Sequence, residues 1–508
     1  MWNDEQPGFN TDVLIQSAMG MTKRTSDWDR SVVLAFDGMT IKEGLVFSAH
    51  TNEIVGLVDV GKGARKLQGY TDDLFSDTRT LAIAKSCVQL IATTFDGQYS
   101  IPFAYFLVES ETASSVAAMV HGAIVTLAKV RLDVKLIVCD GGGWNRTWMA
   151  DVCTKCPIPI APGSNLAPVK EQDNVLHVAM QHPVRSGELI FVMSDPVHII
   201  KKVVSNLHSS GPPGHGHTRR ISRGNQWLEW DQFYGAWQLD TQAQNARIAP
   251  RVTRDHIERT GFTKLKVKFS AQILSRSFAR AVQNYDDGKG QCTALVDFML
   301  SFDTYLDLMN SGTNRGWRGE QEHLNYPIYD EQDPRLDQLE KMARDLEGWC
   351  VENQQVAEAA RAAGGKAQPN NFLTWQLYYD FRMATHGFVA FCRHYLPRTG
   401  PDEFVRPRWC NQDGVEGHFS MIRAQGGAAN QFTAGDIAQR QGGVRVRKVA
   451  TGRRRRGNTT IAPVQDELNY VVELPSRQQT RKRAEQLRAE GRRLAVELGV
   501  SPRGYYSE

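Results

Sequence analysis

No apolar run in the chain approaches the roughly 20 residues that a membrane-spanning helix needs, so no membrane association is expected. The N-terminus, MWNDEQPGFN, carries acids where a secretory leader has a basic head and an apolar stretch, and no leader is expected. Cysteine is sparse, eight in 508 residues with the first at Cys87, and the spacings are too irregular for a disulfide framework. A reducing compartment fits that usage. No GxxxxGK[ST] phosphate loop and no internal repeat occur. The remaining composition, 41% hydrophobic and 23% charged, is that of a globular protein long enough for several domains.

The net charge of +4 is unevenly placed. From Ile437 to Glu508 there are 16 basic and 7 acidic side chains, which leaves a tail near +9 on a slightly acidic body. An enzyme with a nucleic-acid-binding or nuclear-import appendage has this distribution, and so does one with a merely solvated tail. Within the tail, the arginine run at 453–456 reads as an import signal or a phosphate contact. Residues 478–498 read as a charged helix.

Three short apolar runs, residues 31–36 (SVVLAF), 135–139 (KLIVC) and 189–193 (LIFVM), have the pattern of strands buried on both faces. Asp96-Gly97 between β-rich flanks predicts a hairpin. Val116, Met119, Val120, Ala123, Ile124 and Leu127 fall on one helical stripe. Strands, a helix and further strands together predict a mixed α/β sheet layer. Past about residue 206 the periodicity becomes helical, including residues 271–282 and 336–363. Cys153 and Cys156 with His177 and His182 could be stretched into a zinc site, but the spacing is far beyond the usual linker.

Asp37 and Asp140 each follow an apolar strand at once, which would bring two carboxylates to one sheet edge. Such acids repel unless a cation lies between them, and a hard divalent ion would resolve the conflict. A turn or a helix cap is the alternative role for each. In NQDGVEGHFSMIR (residues 411–423), Val415, Phe419 and Ile422 form an apolar stripe. Asp413 and Glu416 fall on another face, with Asn411 placed to cap the start. Two strand-end aspartates and a later helical glutamate, separated by a helical insertion, make the acidic triad of an RNase H-like fold.

On these residues the chain resembles the P-element transposase family, which includes the THAP-domain transposases. The resembling blocks, in family order, are LAFDGMTIKEGLVF with HTNEIVGLVDVG, YSIPFAYF, VCDGGGWNR, FVMSDPVHIIKKVVSNL, RIAPRVTRDHIERTGFTKLKVKFSAQILS and NQDGVEGHFSMIRAQGG. The resemblance implies Asp37, Asp140 and Glu416 as catalytic ligands of two Mg²⁺ or Mn²⁺ ions. It also implies an insertion that binds GTP through Lys266, Val267, Ser275, Asp307 and Asn310, with Asp413 beside the nucleotide. Two residues depart from the family pattern: Leu306 stands where an aromatic is common, and Val197 where proline is usual. No Cys/His zinc module precedes Asp37. His198, at the start of an apolar helix, reads as a structural residue.

The fold expected is an RNase H-like mixed sheet with flanking helices, interrupted by a large, mainly helical insertion. Residues 1–30 are a linker or remnant, 31–205 and 401–440 the two parts of the catalytic domain, 206–400 the insertion and 441–508 the basic tail. The activity expected is cut-and-paste transposition in the nucleus, on double-stranded transposon and target DNA, by a homo-oligomer. A domesticated DNA- or chromatin-binding descendant that no longer cleaves is the alternative.

Overall fold

The computed structural model describes residues 7–21, 26–48, 53–58, 82–154, 176–212, 216–243, 246–261, 263–313, 319–362, 371–426 and 432–454. Strands β1 (Gly8–Phe9), β2 (Ser31–Thr40), β5 (Ser86–Thr94), β6 (Ser100–Val108), β7 (Asp133–Cys139), β8 (Ala179–Gln181) and β9 (Leu189–Ser194) form one sheet. Its order is β1-β6-β5-β2-β7-β9-β8. β2, β7 and β9 run parallel, while β5, β6, β1 and β8 add antiparallel partners at the two sides. A side hairpin pairs β3 (Val46–Ser48) with β4 (Glu53–Val55), and a second pairs β10 (Ile221–Arg223) with β11 (Gln226–Leu228).

The helices are α1 (Thr11–Gly20), α2 (Ala113–Lys129), α3 (Gly143–Thr154), α4 (Pro196–His208), α5 (Trp230–Gln242), α6 (Arg254–Ile257) and α7 (Val267–Leu274). They continue as α8 (Arg276–Asp286), α9 (Thr293–Met309), α10 (Pro334–Ala362), α11 (Trp375–Tyr395), α12 (Asp413–Ala424) and α13 (Ala434–Arg454). Among the described residues no helix is long and apolar enough to cross a membrane.

Local chemistry accounts for the elements that matter. The hairpin between β5 and β6 turns at Gly97, whose φ of +72° is open to glycine at little cost, while Asp96 accepts from the Gln98 N–H at 3.0 Å. Thr112 caps α2 by accepting from the Ser115 N–H at 3.1 Å, and the six stripe residues of that helix are all buried. Asp195 caps α4 and Pro196 opens it, where a missing N–H costs nothing.

Pleating assigns faces to the side chains around the site. The parallel register pairs Ala35 with Val138 and Val138 with Met193, so the three share one face. On that face α12 lays Val415, Phe419 and Ile422 over β2, β5 and β6. Helix α11 covers β9 beside it, with Phe391 against Phe191 at 6.1 Å. Phe36 points the opposite way and meets Trp148 of α3 edge-on at 5.8 Å. One buried apolar cluster continues from Leu34 through Ile200 of α4 to Phe298 of α9, so sheet and insertion share a core.

Two expectations need correction. β2 does not end at Asp37. Its parallel partner β7 stops at Cys139, but the antiparallel ladder with β5 runs on to Thr40, so Asp37 sits inside a strand. The helix expected over residues 271–282 is two helices. Ser275 is extended at φ −63°, ψ 149°, and its hydroxyl accepts from the Phe278 N–H at 3.4 Å to start α8. The segment joining sheet to insertion is continuous, since residue 206 lies within α4.

α11 can lie this close to β9 because residue 387 is glycine. A Cβ there would stand 2.6 Å from the Val192 carbonyl oxygen and 3.1 Å from Met193 Cβ. Gly387→Val should therefore cost about 1–3 kcal/mol through overpacking, read as a lower urea midpoint.

Candidate active site

Asp37 lies two residues beyond Ala35 on the same strand, so it points to the face that α12 covers. β7 runs beside it and delivers Asp140 one residue past Cys139, the partner of Phe36. The Asp140 carboxylate is fixed by its own turn, since Oδ1 accepts from the Gly142 N–H at 3.0 Å and from Asn145 Nδ2 at 2.6 Å. Glu416 stands one turn into α12. Its Oε1 lies 3.4 Å from His198 Nε2 and 3.5 Å from Lys201 Nζ, both on α4. Burial pushes the Asp37 carboxyl up to about 7; the charges of Asp140 and Glu416 add to the shift, while His198 opposes it.

Gln412 is the residue that docks α12. Its N–H donates to Asp195 Oδ1 at 3.0 Å, and its side-chain amide donates to the Phe36 carbonyl next to Asp37. The cap expected at Asn411 falls at Gln412, whose side chain makes no cap hydrogen bond, while Asn411 accepts from the Asp413 N–H at 3.0 Å. Asp195 has a second duty, because Oδ2 takes the His198 N–H at 2.8 Å and meets His198 Nδ1 at 2.6 Å. Burial alone would pull the His198 pKa down, but the hydrogen bond and charge of Asp195 outweigh it and the shift is upward. His198 thus stands between a buried aspartate and Glu416, in line with a structural reading.

A fourth acid escaped the motif analysis. Glu111 follows β6, accepts from Ser86 Oγ at 3.0 Å and crowds Gly38, where a Cβ would overlap its carboxylate. Burial lifts its pKa, with Asp140 adding to the effect and hydrogen bonds from Ser86 and Trp144 opposing it. The only sequence signal was an isolated acid between a strand and a helix, too common to single out.

The candidate nucleotide residues are spread over three helices. Lys266 and Val267 open α7, with Lys266 Nζ 5.0 Å from the Phe269 ring. Ser275 closes it, about 12 Å away at 1.5 Å per residue. The next residue, Arg276, donates its N–H to Asp303 at 3.3 Å, and Asp307 follows one turn along α9, where it accepts from Gln321 at 3.4 Å. Burial and the neighbouring Asp307 charge push Asp303 up to about 6. The i, i+4 spacing of this pair was a legible signal that went unused. Asn310 ends α9 by donating to the Leu306 carbonyl at 2.9 Å. Asp413 pairs with Arg408, whose N–H reaches the carbonyl of Ser311 at 3.2 Å, so the end of α9 abuts the start of α12.

The zinc reading does not survive. His182 Nδ1 accepts from the N–H groups of Val184 and Arg185, both at 3.1 Å, and its Nε2 lies 3.2 Å from Asp133. Cys156 lies outside the described residues, as do residues 455–508 with half of the arginine run and the expected charged helix. Among the described residues, no group of three or more His, Cys, Asp or Glu side chains is arranged to hold a metal ion.

Sheet order, strand directions and the acids on one face define an RNase H-like α/β protein interrupted by a helical insertion. Residues 5–152 match the family model for the TNP-like RNase H N-terminal domain, and residues 215–321 match that for the TNP-like GTP-binding insertion domain. No curated protein matches. Among solved structures, the Drosophila P element transposase strand transfer complex superposes with a TM-score of 0.61 at 17% identity, covering 88% of this chain and 84% of that one. The chain belongs to the P-element-like transposases.

A proton on Asp37 stabilises the metal-free fold. Because the folded value, about 7, exceeds the ordinary 3.8, this contribution is full below about pH 4 and lost as pH rises through 7. Asp37→Asn should accordingly melt higher than the parent at pH 8 in chelator, with the gap narrowing at pH 5.

Proposed function

We propose that the chain is a cut-and-paste DNA transposase in which Asp37, Asp140 and Glu416 form the catalytic triad. The observation that carries this reading is Asp37 itself, a half-buried carboxyl driven up to about 7 with Asp140 and Glu416 as its acidic neighbours. Such an arrangement is unfavourable unless cationic charge is brought to it. All the donors are carboxylate oxygens, which suits Mg²⁺ or Mn²⁺. Two such ions, when bound, supply Lewis acidity at the scissile phosphate.

The protein's own contribution is placement. Asn145 and the Gly142 N–H occupy one oxygen of Asp140 and set the direction of the other. The ladder with β5 holds the backbone of Asp37 from one side, and Gln412 holds the carbonyl before it. Glu416 must leave Lys201 and His198 to complete the site, and those cations are then free to face DNA phosphates. Phosphoryl transfer depends mainly on positioning and charge neutralisation, so these parts suffice for strand cleavage and for attack by the freed 3′-OH on target DNA.

In this reading residues 31–205 and 401–440 form the bulk of the catalytic domain, to whose sheet β1 adds and over which α13 continues past residue 440. Residues 206–400 form the insertion, and the remainder of 441–508 is a basic tail for DNA backbone or nuclear import. Transposon ends and target DNA are the partners, a homo-oligomer on DNA is the working form, and the nucleus is the place of action. The insertion takes GTP, with the Asp307 carboxylate accepting from the guanine edge and Asn310, Ser275, Lys266, Val267 and Asp413 around it. The engagement of Glu416 by Lys201 and His198 favours one second reading, a domesticated DNA-binding protein in which Glu416 stays on those cations.

Nicking of supercoiled plasmid in Mn²⁺ separates the two. The transposase reading expects nicking that falls by more than about 100-fold in Asp37→Asn and Glu416→Gln while DNA binding persists. Unaltered nicking in those variants, or none in the parent, refutes the triad. Calorimetry tests the nucleotide: GTP but not ATP should bind, and Asp307→Ala should abolish binding. Equal binding of both nucleotides rejects the guanine contact.

A further inference from the structure

The turn carrying Asp140 rests on a carboxylate that no sequence pattern singled out. Asp380 of α11 is fully buried and accepts from Arg146 Nη1 at 3.1 Å and from Lys202 Nζ at 2.5 Å. Arg146 comes from α3 and Lys202 from α4, so three helices meet at this one group. Arg146 Nη1 also donates to the carbonyl of Gly141, the residue after Asp140. A Cβ on Gly141 would overlap both the Asp380 carboxylate and the Lys202 ammonium. The backbone beside Asp140 is thus seated directly on the cluster, with no space for a side chain between them.

Partners for a buried carboxylate are expected anywhere in a fold. Contact with the backbone of the turn is what distinguishes this one. Its helix is also fastened at both ends of the problem. Phe381, the next residue, packs on Tyr305 at 4.9 Å and Phe302 at 5.6 Å of α9, the helix that carries Asp307 and Asn310. Two turns further along, Gly387 lies against β9. α11 therefore touches α9, the sheet and the Asp140 turn at once.

We propose that Asp380 is a positioning residue for Asp140: together with Arg146 and Lys202 it sets where Gly141 lies and so where the Asp140 carboxylate is presented. The inference rests on the triad reading above and adds the element that aligns one of its members. Asp380 touches neither metal nor DNA in this role. Its effect passes through the Gly141 backbone, and it places alignment of the second acid under the control of a helix that also packs on α9.

The test compares Asp380→Asn with Glu347→Gln in the full chain. Glu347 is an equally buried acid on α10, bonded to Arg382 and His386 of α11 at 2.9 Å each, and it has no contact with the Asp140 turn. Mn²⁺ affinity is measured by calorimetry without DNA, and plasmid nicking gives kcat and KM separately. Asp380→Asn should weaken Mn²⁺ binding by about tenfold or more and lower kcat with KM for DNA unchanged. Glu347→Gln should lower the unfolding midpoint and leave Mn²⁺ affinity alone. If Asp380→Asn does not fold, Arg146→Lys replaces it: the charge stays but the shorter side chain loses the reach by which Nη1 joins Asp380 to Gly141, and Mn²⁺ binding should again weaken. Asp37-dependent Mn²⁺ binding that is untouched by Asp380→Asn or Arg146→Lys overturns the proposal alone, as does an equal loss in Glu347→Gln. Binding in the parent that Asp37→Asn does not diminish overturns the triad reading and this proposal with it.

Discussion

Repulsion between Asp37 and Asp140 governs the architecture around them. Neighbouring parallel strands deliver both acids to one face of a buried sheet, where charge is poorly solvated and the charge of Asp140 raises the cost of ionising Asp37. A protein selected for stability alone would place apolar groups there. Here the backbone on every side is instead pinned: β5 pairs with β2 past Asp37, Gln412 holds the Phe36 carbonyl, and the Asp140 turn lies between Asn145 and the Asp380 cluster. Acids that cannot move apart lower their energy by protonation or by taking up cations, and the proposed mechanism uses the second route.

The same economy shows in Asp195. One buried carboxylate caps α4, orients His198 and receives the N–H of Gln412, so the helix of Glu416 is registered against α4 through a single group. The hydrogen bonds and charge of His198, with the backbone donors, keep its pKa low despite burial. α4 also supplies Lys201 to Glu416 and Lys202 to Asp380 from adjacent positions. Successive residues of one helix thereby serve two different acids.

Much of this was legible in the sequence because its causes are local. Runs such as SVVLAF and KLIVC are apolar on both faces, Asp96-Gly97 forces a turn, and the stripe of Val415, Phe419 and Ile422 needs only helical geometry to face the sheet. The exact extent of β2 was not legible, since whether a strand continues past Asp37 depends on a partner about 50 residues away. Asp380 was less visible still. Its meaning comes from a glycine 239 positions earlier, and an aspartate inside an amphipathic helix carries no local mark of such a contact. Ser275 failed for a different reason: apolar periodicity runs through it, and only its hydroxyl cap breaks the helix.

None of the seven described cysteines is in a disulfide, all are buried, and they are distributed over β5, β7, α3, the loop before α9, α10, α11 and the approach to α12. Burial keeps Cys87, Cys139, Cys392 and Cys410 far from the thiolate form, so none is a ready nucleophile in the closed fold. Their reactivity is governed by how often each region opens, and alkylation at a given position becomes a clock for that region. Cys139 times the strand that ends at the Asp140 turn, Cys292 times the entry to α9, and Cys392 times the helix that joins the two.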